Sequence, residues 1–107
     1  MVAQISPREL FQSLENGQLV RLVDVRQPWE NQLATLPGSL LIPLNELPER
    51  AKEIARDQSV VVVFCHHGIR SLSAAGYLQR LGFINVKSLA GGIDAWSCEV
   101  DPSVPRY

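Results

Sequence analysis

Six consecutive apolar residues, Val60 to Cys65, begin with four valines in a row and constrain this chain more than any other feature. β-branched side chains favour extended backbone, and an apolar run without alternation suits a strand covered on both faces. Such a strand belongs in the middle of a parallel sheet. Ser59 to Phe64 is therefore predicted to be the central strand, and the run is far short of the roughly 20 residues that cross a bilayer. No membrane partner is expected on this ground.

The rest of the chain can be ordered around that strand. Ser6-Pro7-Arg8-Glu9 combines a serine N-cap, a proline at the first helical position and a glutamate three residues on, which predicts a helix start. Leu10, Phe11 and Leu14 then recur at helical spacing, and Asn16-Gly17 supplies a stop. Gln18 to Val25 alternates like a strand before Gln27-Pro28 interrupts it, and Leu40-Leu41-Ile42 reads as a short buried strand between Pro37-Gly38 and Pro43. A second helix is expected from about Asn45 to Arg56. After the central strand, Ser71 to Leu81 reads as a helix ended by Gly82. Asn85 to Leu89 follows as a last strand, and Gly91-Gly92 leads into a short helix around Ile93 to Trp96. The proline-containing tail from Asp101 to Tyr107 is expected to wrap the surface. Strands alternate with helices throughout, as in an α/β domain with helices on both faces of a mainly parallel sheet.

Length and charge narrow the functions. One hundred and seven residues suit a single domain spanning 1–107 with a core that needs no disulfide staples. Ten basic residues, eight Arg and two Lys, are scattered against eleven acidic ones for a net charge of -1. With no basic face, nucleic acid is not an expected partner. Met1-Val2-Ala3-Gln4 lacks a basic cluster leading into an apolar stretch, so no secretory leader is read. Cys65 and Cys98 make no disulfide framework and are too few to hold a structural zinc, which sets a cytoplasmic expectation.

The chemistry concentrates in Cys65-His66-His67-Gly68-Ile69-Arg70-Ser71, between the central strand and the next helix. Ligands of open α/β sheets bind at the carboxyl ends of strands, which is where this cysteine falls. A short loop closing onto a helix N-terminus turns several N–H groups inward, and they favour a bound negative charge such as a thiolate. Gly68 suits a tight cradle, and the fork of Arg70 suits an oxyanion beside the sulfur. The plainer reading is a small core residue in a valine-rich strand, but the order strand, Cys, Gly, Arg, helix favours a nucleophile. Cys98 has no such surroundings and reads as a structural or incidental thiol. His66 and His67 are open between proton donors and rim residues. Asp24 and Arg26, at the end of another predicted strand, could approach the pocket but read first as supporting residues, with Glu30 an available partner for Arg26. Trp29 and Trp96 read as core or loop-packing aromatics.

Several segments together resemble a single rhodanese domain. Leu22-Val23-Asp24-Val25-Arg26 with Trp29-Glu30 resembles the family's first signature. Pro37-Gly38-Ser39 before Leu41-Ile42-Pro43-Leu44 resembles its second, Cys65 to Arg70 its active-site loop, and Gly91-Gly92-Ile93-Asp94-Ala95-Trp96 its closing motif. The resemblance implies a rhodanese-like α/β fold around a mainly parallel five-stranded sheet. It also implies sulfur transfer: Cys65 takes a sulfane sulfur from a donor such as thiosulfate, becomes a persulfide cradled by the amides of His66, His67, Gly68, Ile69 and Arg70, and passes the sulfur to cyanide or a thiol. Neither metal nor organic cofactor is called for, and the partners are a small sulfur-containing anion or thiol donor and a thiophilic acceptor, with a protein acceptor left open. Two alternatives remain. One is a non-catalytic docking module. The other is a phosphatase or arsenate reductase on the same fold, which the four residues between Cys65 and Arg70 disfavour, since the related phosphatases have a loop one residue longer.

Overall fold

The computed structural model of the chain describes residues 2–107; Met1, where the reading of the leader region begins, lies outside them. The valine run forms β4 (Val60–Phe64), all five residues of which are buried. Because successive side chains of a strand point to opposite faces, β4 feeds two cores. Val61, Val63 and Cys65 pack with Leu47, Ala74, Ala75 and Leu78 on one side of the sheet. Val60, Val62 and Phe64 pack with Leu10, Ile93 and Trp96 on the other.

Strand β4 lies between β2 (Val20–Asp24) and β5 (Val86–Leu89), with β3 (Leu40–Leu41) outside β2 and β1 (Ala3–Ile5) outside β5. The order is β1-β5-β4-β2-β3, and every pairing is parallel. Helix α4 (Ile69–Arg80) covers one face, while α1 (Pro7–Glu15) and α5 (Gly92–Glu99) lie together on the other. Among the described residues, no helix is long and apolar enough to cross a membrane.

The sequence reading and the structure differ where short elements depend on distant partners. Strand β1 was not expected; only Ile5 of its three residues is buried, and pairing with β5 is what makes it a strand. Gln27-Pro28 does end β2, but Pro28 also opens a helix, α2 (Pro28–Leu33), where Glu30 reaches back to accept the Gln27 N–H at 3.0 Å. The expected helix from Asn45 to Arg56 is three fragments: 3₁₀ turns at Leu44–Glu46 and Ala51–Glu53 flank α3 (Leu47–Arg50). Pro48 removes a backbone donor there, and the Asn45 side chain accepts from Gln27 Nε2 at 3.4 Å instead of capping a helix. Helix α4 begins at Ile69, two residues before the expected start, so Ile69 and Arg70 belong to its first turn. The tail is more than a surface wrap: Val104 is buried, and Ser97 donates to its carbonyl at 2.6 Å.

Candidate active site

Cys65 is the residue after β4, and its side chain continues the α4-facing row of Val61 and Val63. It is 1% exposed, as a core cysteine would be, yet its sulfur has polar company. The N–H groups of Gly68 and Ser71 donate to Sγ at 3.1 and 3.4 Å, and Ser71 Oγ lies 3.5 Å away. The expected cradle of amides from His66 to Arg70 is thus narrower at the sulfur itself: Gly68 takes part, and Ser71 adds a donor from the first turn of α4. The chain reverses at Gly68 with φ 102°, a conformation that glycine adopts without the strain a Cβ would bring. Ser71 Oγ also contacts Gly68 O at 3.2 Å and buried Ser88 Oγ at 2.7 Å, so a hydroxyl pair joins β5 to the sulfur.

The other side of the loop is held by α5. Ile93 N–H donates to Cys65 O at 2.9 Å, and Asp94 N–H donates to His66 O at 3.1 Å. Because a trans peptide points its N–H opposite its C=O, these bonds turn the amides of His66 and His67 away from α5. Gly92, at φ 66°, permits this approach, since a Cβ there would collide with the carbonyls of Cys65 and His66.

Asp24 and Arg26 are completely buried and paired to each other. Arg26 Nη2 lies 2.8 Å from Asp24 Oδ2, and Arg26 Nε lies 2.9 Å from Oδ1. Arg26 also donates to the carbonyls of Glu30 and Ala34 at 3.3 and 2.6 Å. Its fork is spent on architecture, in keeping with the supporting role. Its carboxylate partner, however, is Asp24 and not Glu30. The Glu30 carboxylate instead accepts both Nη groups of Arg70, at 2.7 and 2.9 Å, and the Tyr107 hydroxyl at 2.7 Å. Arg70's fork holds Glu30 at a pKa of about 2, so the carboxylate is ionised throughout the neutral range. The arrangement corrects the expectation for Arg70, whose two terminal nitrogens are engaged by a carboxylate and do not stand open beside the sulfur.

Four rings cross the rim. His66 stacks between His67 and Tyr107, at centroid distances of 3.8 and 4.0 Å, and Trp29 meets the edge of Tyr107 at 6.3 Å. Burial, reinforced by neighbouring His67, lowers the His66 pKa, and its Nε2 is buried without a partner. His67 is exposed, with Nε2 3.9 Å from Asp94 Oδ2. The ligating atoms of His66, His67 and Asp94 lie within 4.8 Å of one another, close enough to be considered for a metal, although Asp94 already accepts from Arg106 at 2.8 Å. Trp96 is a core residue as expected, but Trp29 is 60% exposed and packs no core.

Residues 6–99 match the model of the rhodanese-like domain. The chain belongs to that family. It is 39% identical over 97 residues to a sulfurtransferase of Allochromatium vinosum, covering 91% of this chain and 90% of that protein. The crystal structure of a rhodanese-related protein from Thermoplasma volcanium superimposes with a TM-score of 0.85 at 32% identity, over 98% of this chain and 99% of that one. The human single-domain sulfurtransferase TSTD1 gives a TM-score of 0.80 at 28% identity, over 92% of this chain and 98% of that one. Other relatives are longer proteins, and this chain spans 38% of one and 23% of another.

In this rhodanese-like chain the Gly68 N–H lies at the Cys65 sulfur, while the parts played by three residues were not legible: Ser71, Tyr107 and Glu30, which the sequence offers only as a partner for Arg26. Ser71 appears in the sequence as the start of a helix, and only its return toward Sγ gives it another role. Glu30 carried a signal, three residues after Gln27 in a capping position, but that pattern does not point to Arg70, 40 residues on. Tyr107 had none, because a tail residue 81 positions from Arg26 meets it only through the fold.

Proposed function

We propose that this chain is a sulfurtransferase working by double displacement at Cys65, with a reducing, cytoplasmic setting as its natural place. The observation that carries the reading is the pair of N–H donors, Gly68 and Ser71, directed at a sulfur that ends the central strand. A merely structural cysteine needs no such donors. In the first step the Cys65 thiolate attacks the outer sulfur of the donor; with thiosulfate, the S–S bond breaks, sulfite departs with the bonding pair, and a Cys65 persulfide remains. In the second, cyanide or a thiolate attacks the outer sulfur and the Cys65 thiolate is regenerated. The Ser71 hydroxyl can accept from the thiol and donate to the thiolate, while Ser88 satisfies its remaining capacity. The amides of His66 and His67, turned away from α5, are the donors we assign to the outer sulfur. No step calls for a metal or organic cofactor.

The test is intact-protein mass after donor treatment. One sulfur atom is expected on the wild type and none on Cys65→Ser, with thiocyanate formation abolished in that variant while its circular dichroism spectrum is kept. Turnover retained by Cys65→Ser would remove Cys65 from the mechanism. Failure of every sulfane donor to modify the wild type would favour a docking module.

A further inference from the structure

Resting on the sulfur-transfer reading, the geometry points to a donor class: we infer that this site prefers singly charged organic sulfane donors bearing an apolar group, such as aryl thiosulfonates or organic persulfides, over the thiosulfate dianion, and that Glu30 sets this preference. Two observations carry it. First, the charges at the mouth cancel. Arg26 is neutralised by Asp24, Arg70 by the bidentate Glu30 carboxylate, and Arg106 by Asp94. The loop holds one arginine, and it is the one Glu30 occupies. His66, sandwiched between two rings with a buried Nε2, adds no ready cation. A dianion entering this mouth would find main-chain N–H groups but no uncompensated side-chain cation, and the cost of leaving water grows steeply with its charge.

Second, the rim offers apolar surface. Trp29 and Ile69 are 60% and 78% exposed, and Trp29 abuts Tyr107, which lies flat on His66, the neighbour of Cys65. An aryl or alkyl arm attached to the departing group would lie on these residues while its outer sulfur reaches Sγ. With an aryl thiosulfonate the balance is simple. The Cys65 thiolate forms an S–S bond to the terminal sulfur, the bond from that sulfur to the sulfonyl breaks, and an aryl sulfinate leaves with one negative charge.

Steady-state kinetics with cyanide as common acceptor test this, using benzenethiosulfonate and thiosulfate as donors. The wild type is expected to show the higher kcat/KM for benzenethiosulfonate, and a thiosulfate KM that barely changes from low salt to about 0.5 M, because no net charge attracts the dianion. Glu30→Gln, which exposes Arg70's charge, is expected to raise the thiosulfate to benzenethiosulfonate ratio of kcat/KM about tenfold. Trp29→Ala, at an exposed position, should raise KM for benzenethiosulfonate about fivefold and leave that for thiosulfate alone. A wild type that prefers thiosulfate, with KM climbing steeply in salt, overturns the inference while leaving persulfide chemistry intact; so does an unchanged donor ratio in folded Glu30→Gln or an unchanged KM in Trp29→Ala. If neither donor places sulfur on Cys65, the sulfurtransferase reading itself falls.

Discussion

At the scale of single residues, the arginines of this molecule divide by what meets them. Arg26 is the largest completely buried side chain, and it survives there because Asp24 and two main-chain carbonyls take up its donors. Removing one member of such a pair leaves the other buried and uncompensated. Asp24→Asn keeps the shape, removes the charge and is expected to destabilise the fold by about 3–5 kcal/mol, read from urea unfolding at neutral pH. A loss below about 1 kcal/mol would mean that water reaches Arg26 in solution. Glu30 is buried too, at 3% exposed, but the arginine it compensates, Arg70, is 36% exposed at the start of α4.

Between elements, the loop after β4 is shaped from both ends. The start of α4 contributes N–H groups from its cap, Gly68, and from Ser71 on one side, and α5 contributes N–H groups at Ile93 and Asp94 from the other. The carbonyls of Cys65 and His66 face α5 and the amides of His66 and His67 face the opposite way, so the polarity of this part of the cradle follows from where α5 begins. That start depends on Gly92 at positive φ, pressed against the loop backbone. Gly92→Ala is expected to cost about 2–3 kcal/mol through overpacking and to abolish sulfur uptake although Cys65 is untouched. Thermal unfolding and intact mass would measure the two effects, and a variant that still takes up sulfur at the wild-type rate would mean the α5 contact does not shape the cradle.

For the whole molecule, two cores on either side of one sheet supply the stability, and the polar cluster above the sheet ties distant segments together. Glu30 connects α2 to α4 through Arg70 and to the tail through Tyr107. A carboxylate held at about 2 when folded, against 4.5 when free, adds stability that is complete above the free value and is lost as pH falls toward the folded one. The urea midpoint should accordingly decline from about pH 5 to about pH 2, with a shallower decline in Glu30→Gln. Parallel curves for the two proteins would mean that the Arg70 and Glu30 pair does not persist in solution.

The valine run by itself determined the central strand, the parallel sheet and the position of Cys65 at a strand's carboxyl end, because an uninterrupted apolar segment this short has few ways to be buried. The capping box at Ser6 and the glycines around α4 likewise act locally, through backbone preferences, and were legible for that reason. Strand β1 and the partner of Arg70, 40 residues away, were not, since each is decided by what lies across space. Arg26 met Asp24 two residues away, but Arg70 met Glu30 and Tyr107 came to rest on His66 only when the sheet brought the ends of β2 and β4 and the tail to one edge. Spacing along a chain can place a nucleophile, but which charges near it cancel is a property of three-dimensional proximity.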